Sequence, residues 1–210
     1  MRIAIIGTGN VGAAIARGLV GKGHDVTLGA REPENPGVTA LAQETSTIAL
    51  EQAEAAATAE IVILALPWAV SEGAIKGLGD LSGKIVIDCM NPLGMIDGTL
   101  GLTVGHDTSG GEIVQALLPG ARVVKTLNQV GAEMMADNSA LPHRPVMFLA
   151  GNDDMAKAAV SALLTDLGFA PLDSGDITTS RLLEPFAMVW INQALMRGKG
   201  RSWAFAAVEG

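Results

Sequence analysis

Gly7-Thr8-Gly9-Asn10-Val11-Gly12 follows the short apolar run Ile3-Ala4-Ile5-Ile6 with the spacing G-x-G-x-x-G. That spacing suits a pyrophosphate: Gly7 permits a tight turn, Gly9 lets backbone approach the anion, and Gly12 lets a helix pack closely on a strand. The free N–H groups opening the helix then face negative charge. In a chain with 26 glycines the pattern alone is weak. Its place directly after a buried strand and at the opening of a helix is the context that supports a dinucleotide. Thr8, Asn10 and Val11 would line the ligand mainly through backbone, and the Asn10 side chain suits a helix cap as well as a ligand.

A second signal bears on which dinucleotide. Enzymes that use NAD usually place an acid about 20 residues beyond the glycines, where it accepts from the ribose hydroxyls. Here that place reads Gly29-Ala30-Arg31. A small residue followed by arginine leaves room for a 2′-phosphate and offers it a forked cation, so NADP(H) is expected. Glu32, one position further, keeps NAD as the alternative.

The elements that must hold these residues follow from periodicity. Residues 2–6 read as a strand buried on both faces, residues 10–22 as a helix, and His24 to Leu28 as a returning strand, which makes one β-α-β unit. The alternation continues with helices near 36–44, 50–58, 68–77, 110–118 and 153–167. Strands are expected near 47–49, 61–66, 84–88, 122–126, 145–150 and 169–173. The expected fold is α/β, a Rossmann-type, doubly wound, mostly parallel sheet with a short C-terminal helical cap. Residues 1–178 form the dinucleotide-binding domain, with 145–178 extending the sheet, and 179–210 form a cap that is no independent domain. Residues 91–109 lack clear periodicity and read as a functional loop.

Composition narrows the partners. A net charge of −8 opposes binding to phosphate backbones and anionic lipid, and 3% aromatics without tyrosine offer no stacking platform for single strands. Nucleic acid is excluded on that ground. No apolar run approaches the roughly 18 residues of a membrane span. The lone Cys89 and an N-terminus without signal-peptide character imply a reducing, cytoplasmic setting. Cys89 and the separated His24, His106 and His143 show no metal-ligand spacing, so no metal is expected. A small-molecule redox substrate remains.

The motifs Gly7–Gly12, Gly29-Ala30-Arg31, Ala65-Leu66-Pro67-Trp68, Asp88-Cys89-Met90-Asn91-Pro92, Val124-Lys125-Thr126-Leu127-Asn128 and Arg181-Leu182-Leu183-Glu184-Pro185 resemble, in order, the NADPH:deazaflavin (coenzyme F-420) oxidoreductases. A eukaryotic metalloreductase family shares the pattern in its reductase domains. The resemblance implies that Leu66, Pro67 and Trp68 run past the pyrophosphate and nicotinamide ribose, and that Asn91 and Pro92 lie beside the nicotinamide. It places a deazaflavin over that ring, with Asn128, Gln129, Val130, Met134, Trp190 and region 93–108 as candidate walls. The plain alternatives are a strand stop for Pro67, a turn for Asn91, and core or dimer interface for Met134 and Trp190.

The implied activity is hydride transfer between NADP(H) and a flat acceptor: a deazaflavin, flavin, quinone or ferric chelate. Such a transfer needs alignment and dryness more than an acid or base. A carbonyl or imine substrate would require a proton donor, for which Lys125, His106, Asp107 and Glu184 are the candidates. Hydroxyacid dehydrogenases and pyrroline-carboxylate reductases add a large helical domain for which this chain has no room. A non-catalytic NADP(H)-binding sensor or scaffold is the rival from another class. Phe186, Val189, Trp190, Trp203 and Phe205 are many large apolar groups for one terminal segment, and they point to a homodimer through the cap.

Overall fold

The computed structural model describes residues 1–208; Glu209 and Gly210, the end of the expected cap, lie outside the described residues. The chain opens with β1 (Arg2–Ile6), α1 (Asn10–Leu19) and β2 (Asp25–Ala30), followed by α2 (Pro36–Thr45), β3 (Ile48–Glu51), α3 (Gln52–Thr58), β4 (Ile61–Leu64), α4 (Trp68–Lys76) and β5 (Ile85–Asp88). A hairpin of β6 (Leu93–Ile96) and β7 (Thr99–Leu102) comes next, then α5 (Gly110–Leu117), β8 (Arg122–Lys125), α6 (Ala132–Ala136), β9 (Val146–Gly151), α7 (Asp154–Asp166), β10 (Ala170–Asp173) and α8 (Ser180–Ile191). A π-type turn, Asn192–Met196, ends the last helix.

Eight strands form one sheet in the order β10-β9-β8-β5-β4-β1-β2-β3. All pairs are parallel except β8 with β9. This is the Rossmann-type α/β fold, with strand order reversing beside β1 and a crevice at the carboxyl ends of β1 and β4.

The central strands read as unbroken apolar runs because both faces are covered. Ile3 and Ile5 of β1, with Ile61, Ile63, Ile85 and Ile87, enter the core beneath α1, α6 and α7. Ala4, Ile6, Val62, Leu64 and Val86 face the opposite core with residues of α3 and α5. The period of two within each strand thus divides one run between two layers. Each large aliphatic side chain hidden in this way contributes about 1.5–3 kcal/mol.

Helix starts follow their caps. Asn35 accepts from Gly37 N at the head of α2, where Pro36 takes a first-turn position. Ser109 accepts from Glu112 N and donates to Glu112 Oε2 at the head of α5. The Glu112 carboxylate is then forked by Arg181 of α8 at 2.6 and 2.9 Å, and this pair holds it below the usual carboxylate range.

Two features differ from the periodicity reading. Residues 91–109 are no open loop, since β6 and β7 pair antiparallel across Asp97-Gly98, whose φ values of 49° and 78° are those of a tight two-residue hairpin turn. Helix α6 leaves no trace in the periodicity because a five-residue helix is too short to display a period.

The cap aromatics are largely spent within the chain. Phe186 packs edge-on to Phe148 at 5.3 Å and against Phe205 at 4.7 Å, and Trp190 stacks on Trp203 at 5.7 Å. Trp190 Nε1 donates to the Trp203 carbonyl. These groups therefore give no support to a dimer, whereas Leu182 and Val189 of α8 are 69% and 51% exposed.

Candidate cofactor and hydride-transfer site

The glycine loop leaves β1 and starts α1 at the reversal point. Gly7 has φ +102°, and a side chain there would collide with the Ala65 carbonyl. A side chain at Gly12 would strike the Gly7 carbonyl, so α1 packs this closely only because that position is glycine. Gly9 differs from both. It is the N-cap of α1 with an ordinary φ of −73°, and a methyl group placed on it meets nothing within 4 Å. The space above Gly9 is thus open to a ligand and closed to no part of the fold. Because Gly9 is the cap and Asn10 makes no capping bond, Asn10 opens the helix as an exposed residue.

Two cavities meet over this loop. One of about 650 Å³ is lined by Gly7, Thr8, Gly9, Ala30, Arg31, Leu66 and Pro67 with residues of α4; the other, about 330 Å³, by Thr8, Gly9, Ala30, Arg31, Glu32, Asn35 and Val38. They share Thr8, Gly9, Ala30 and Arg31. Ala30 is buried at the end of β2 and Arg31 is exposed beside it. Arg31 makes no ion pair among the described residues. Its guanidinium therefore has its donors available beside the positive end of α2.

Leu66 and Pro67 enter this cleft, but the Trp68 ring does not. It packs half-buried against the core on the α5 side, close to Gly110. Val11 is half-buried against the other core.

Beyond β5 and β8 lies a cluster of side-chain amides. Asn91 Nδ2 donates to the Asn128 carbonyl at 2.8 Å, and Asn128 Nδ2 donates to Asn91 Oδ1 at 3.0 Å. Gln129 donates to Asn128 Oδ1 and exchanges two bonds with the Phe148 backbone. Leu127, between Lys125 and this cluster, is fully buried with φ +56°. A leucine holds that conformation only when its surroundings over-determine it. Pro92 is buried, and its carbonyl accepts from Thr103 at the end of the hairpin. Trp190 lies beside Gly131, whereas Met134 is part of the main core and lines none of these cavities.

Beneath the amides lies a buried ion cluster of Asp88 with Lys125 and Glu184, two of the candidate proton donors. Lys125 Nζ donates to Asp88 Oδ2 at 3.0 Å and to the Met90 carbonyl, and sits 2.9 Å from Glu184 Oε1. Glu184 also accepts from Gly110 N and Gly111 N at 3.0 Å, and Asp88 Oδ1 accepts from Met90 N at 2.9 Å. Burial alone would lower the Lys125 pKa, but the Asp88 and Glu184 carboxylates outweigh it and hold the ammonium above its ordinary range. Lys125 is thus held as the ammonium, with its protons engaged by Asp88, the Met90 carbonyl and Glu184. Burial likewise pushes the Cys89 thiol up, which makes it inert. His106 and Asp107 are exposed and lie outside this cluster.

Comparison with known proteins bears on the fold and the family. The family model described as "NADP oxidoreductase coenzyme F420-dependent" matches residues 2–92. The F420-dependent NADP reductase of Methanocaldococcus jannaschii is 32% identical over 201 residues, covering 88% of each chain. A crystal structure from Arthrobacter sp. FB24, whose name assigns it provisionally to the F420-dependent NADP reductases, superposes with a TM-score of 0.90 at 37% identity over the full length of both chains. Metalloreductase STEAP3 of Rattus norvegicus is 30% identical over 186 residues, but this chain spans only 36% of its length. A reductive aminase from Aspergillus terreus, at 19% identity and TM-score 0.68, shares the fold alone.

The fold and these comparisons together place the chain among the NADP oxidoreductases of Rossmann type. Within that class the chain belongs to the family of F420-dependent NADP reductases.

Proposed function

We propose that the chain binds NADP(H) across the crevice and passes hydride between it and a flat redox acceptor, with a deazaflavin as the first candidate and a flavin, quinone or ferric chelate as alternatives of similar shape. The observation that carries the reading is the open space over Gly9, continuous with a cavity that ends at Arg31. The backbone of Gly7 to Gly12 would hold the pyrophosphate at the head of α1. Ala30 would leave room for the 2′-phosphate and Arg31 would fork onto it. Leu66 and Pro67 would wall the path towards Asn91, Pro92 and Asn128 at the carboxyl ends of the second half of the sheet. The nicotinamide supplies the hydride. The chain's task is to orient and to exclude water, and the buried amides and the Trp190–Trp203 stack suit that task. The reading does not require a protein acid or base.

Steady NADPH oxidation measured with each acceptor in turn tests the proposal. Turnover is expected with the deazaflavin and little with the others. Turnover with none of them, despite NADPH binding, would leave a nucleotide-binding protein without this activity.

We also propose a reducing, cytoplasmic setting, consistent with the single buried thiol, and a homodimer through α8. Among the described residues no helix is long and apolar enough to cross a membrane. Leu182, Pro185, Val189 and Met196 are exposed at spacings that favour one face of the closing helix. Sedimentation at micromolar concentration is expected to give a dimer for the natural chain and a monomer after Leu182→Glu with Val189→Glu. A monomeric natural chain removes the dimer.

A further inference from the structure

Asp88, Lys125 and Glu184 do more than hold three elements together. Asp88 and Lys125 are register partners at the carboxyl ends of β5 and β8, and Glu184 reaches them from α8. Each stands next to a member of the amide cluster. Asn91 follows Asp88 by three residues, Asn128 follows Lys125 by three, and the carbonyl of Leu183, just before Glu184, accepts from Asn128 Nδ2. Met90 is bound at both its N–H and its carbonyl, so the turn that presents Asn91 is fixed from two sides.

The charges do not cancel. Both Glu184 oxygens accept, and so do both Asp88 oxygens, so all four carboxyl oxygens face donors and none faces an acceptor. Two carboxylates against one ammonium leave one negative charge in a site closed to water, where screening is weak. The positive head of α5, about half a charge, offsets only part of it.

On the proposed cofactor reading, the nicotinamide half of the dinucleotide would lie over the ends of β4, β5 and β8. Oxidised nicotinamide carries a positive charge, and accepting hydride, two electrons with one proton, removes it. We infer that Glu184, acting with Asp88 and Lys125, sets the balance between oxidised and reduced cofactor at this site by stabilising NADP+ over NADPH. Glu184 is a positioning and electrostatic residue here; it does not touch the reacting atoms.

Glu184→Gln removes one negative charge, and calorimetric titration of the variant with NADP+ and with NADPH reads the effect. NADP+ is expected to bind about four- to fifteenfold more weakly, with NADPH within about twofold of the natural chain. Glu184→Asp keeps the charge and is expected to keep the natural ratio, which loss of packing alone would not predict. An unchanged ratio in a folded Glu184→Gln protein, or equal losses for both forms, overturns the inference. If Glu184→Gln does not fold, the natural chain decides: it must bind NADP+ at least as tightly as NADPH, and a clear preference for NADPH overturns the inference. A natural chain that binds neither form refutes the cofactor reading itself, a distinct outcome.

Discussion

Gly9→Leu is expected to yield a folded protein that no longer binds NADPH. The position has φ −73° and ψ −166°, extended backbone that leucine adopts readily. The first carbon of the new side chain meets no atom of the fold within 4 Å, so it enters without a backbone shift. What the side chain does meet is the volume over the head of α1, where the pyrophosphate would sit against free N–H groups. Filling it displaces the anion, and a loss of at least about a hundredfold in affinity, ~2.7 kcal/mol, is the expected scale. Calorimetry measures the affinity, and thermal unfolding confirms that the midpoint stays near that of the natural chain. Gly12→Ala is the contrasting control, because its methyl group would collide with the Gly7 carbonyl and stability would fall first. Unchanged NADPH affinity in Gly9→Leu removes the loop from the binding site.

Arg31→Ala is expected to separate the two cofactors. Arg31 lines both cavities and makes no ion pair among the described residues, so removing it leaves no buried partner stranded. The substitution is expected to weaken NADPH by about 1.5 to 3 kcal/mol, the scale of charge-assisted bonds to a phosphate, and to leave NADH nearly unchanged. That is roughly a ten- to hundredfold loss in one cofactor only. Added salt is expected to erode the natural preference as well, because the guanidinium is exposed and its attraction is screened. Equal losses for both cofactors would assign Arg31 to the adenine or to the fold. A natural chain that prefers NADH would make Glu32, which lines the smaller cavity, the ribose ligand.

The glycine loop and the central strands were legible because local rules govern them. The β1-loop-α1 unit needs a turn at Gly7, close packing at Gly12 and a short apolar strand before both, and all three requirements fall on adjacent residues. The hairpin was legible in principle, since Asp97-Gly98 is a strong turn signal. Its strands, Leu93–Ile96 and Thr99–Leu102, were hidden by brevity and by glycines at 94 and 101. The ion cluster left a fainter mark, a charged residue closing an apolar strand at Asp88 and again at Lys125. Opposite charges at the ends of two strands suggest a pair only once those strands are known to be neighbours.

By itself, the sequence determined the α/β alternation, the glycine loop and the small-residue-then-arginine end of β2, because each depends on contacts or backbone angles within a few residues. Tertiary structure alone decided that Met134 turns into the core and Trp68 packs half-buried against it, that Phe186 and Trp190 pack onto the chain's own Phe205 and Trp203, and that Glu184 reaches across to Lys125. Those placements depend on which distant elements meet. The pattern of a single helix says which side chains share a face, but not what covers that face, and a buried charge is recognised only when its partner, 59 residues away between Lys125 and Glu184, arrives beside it.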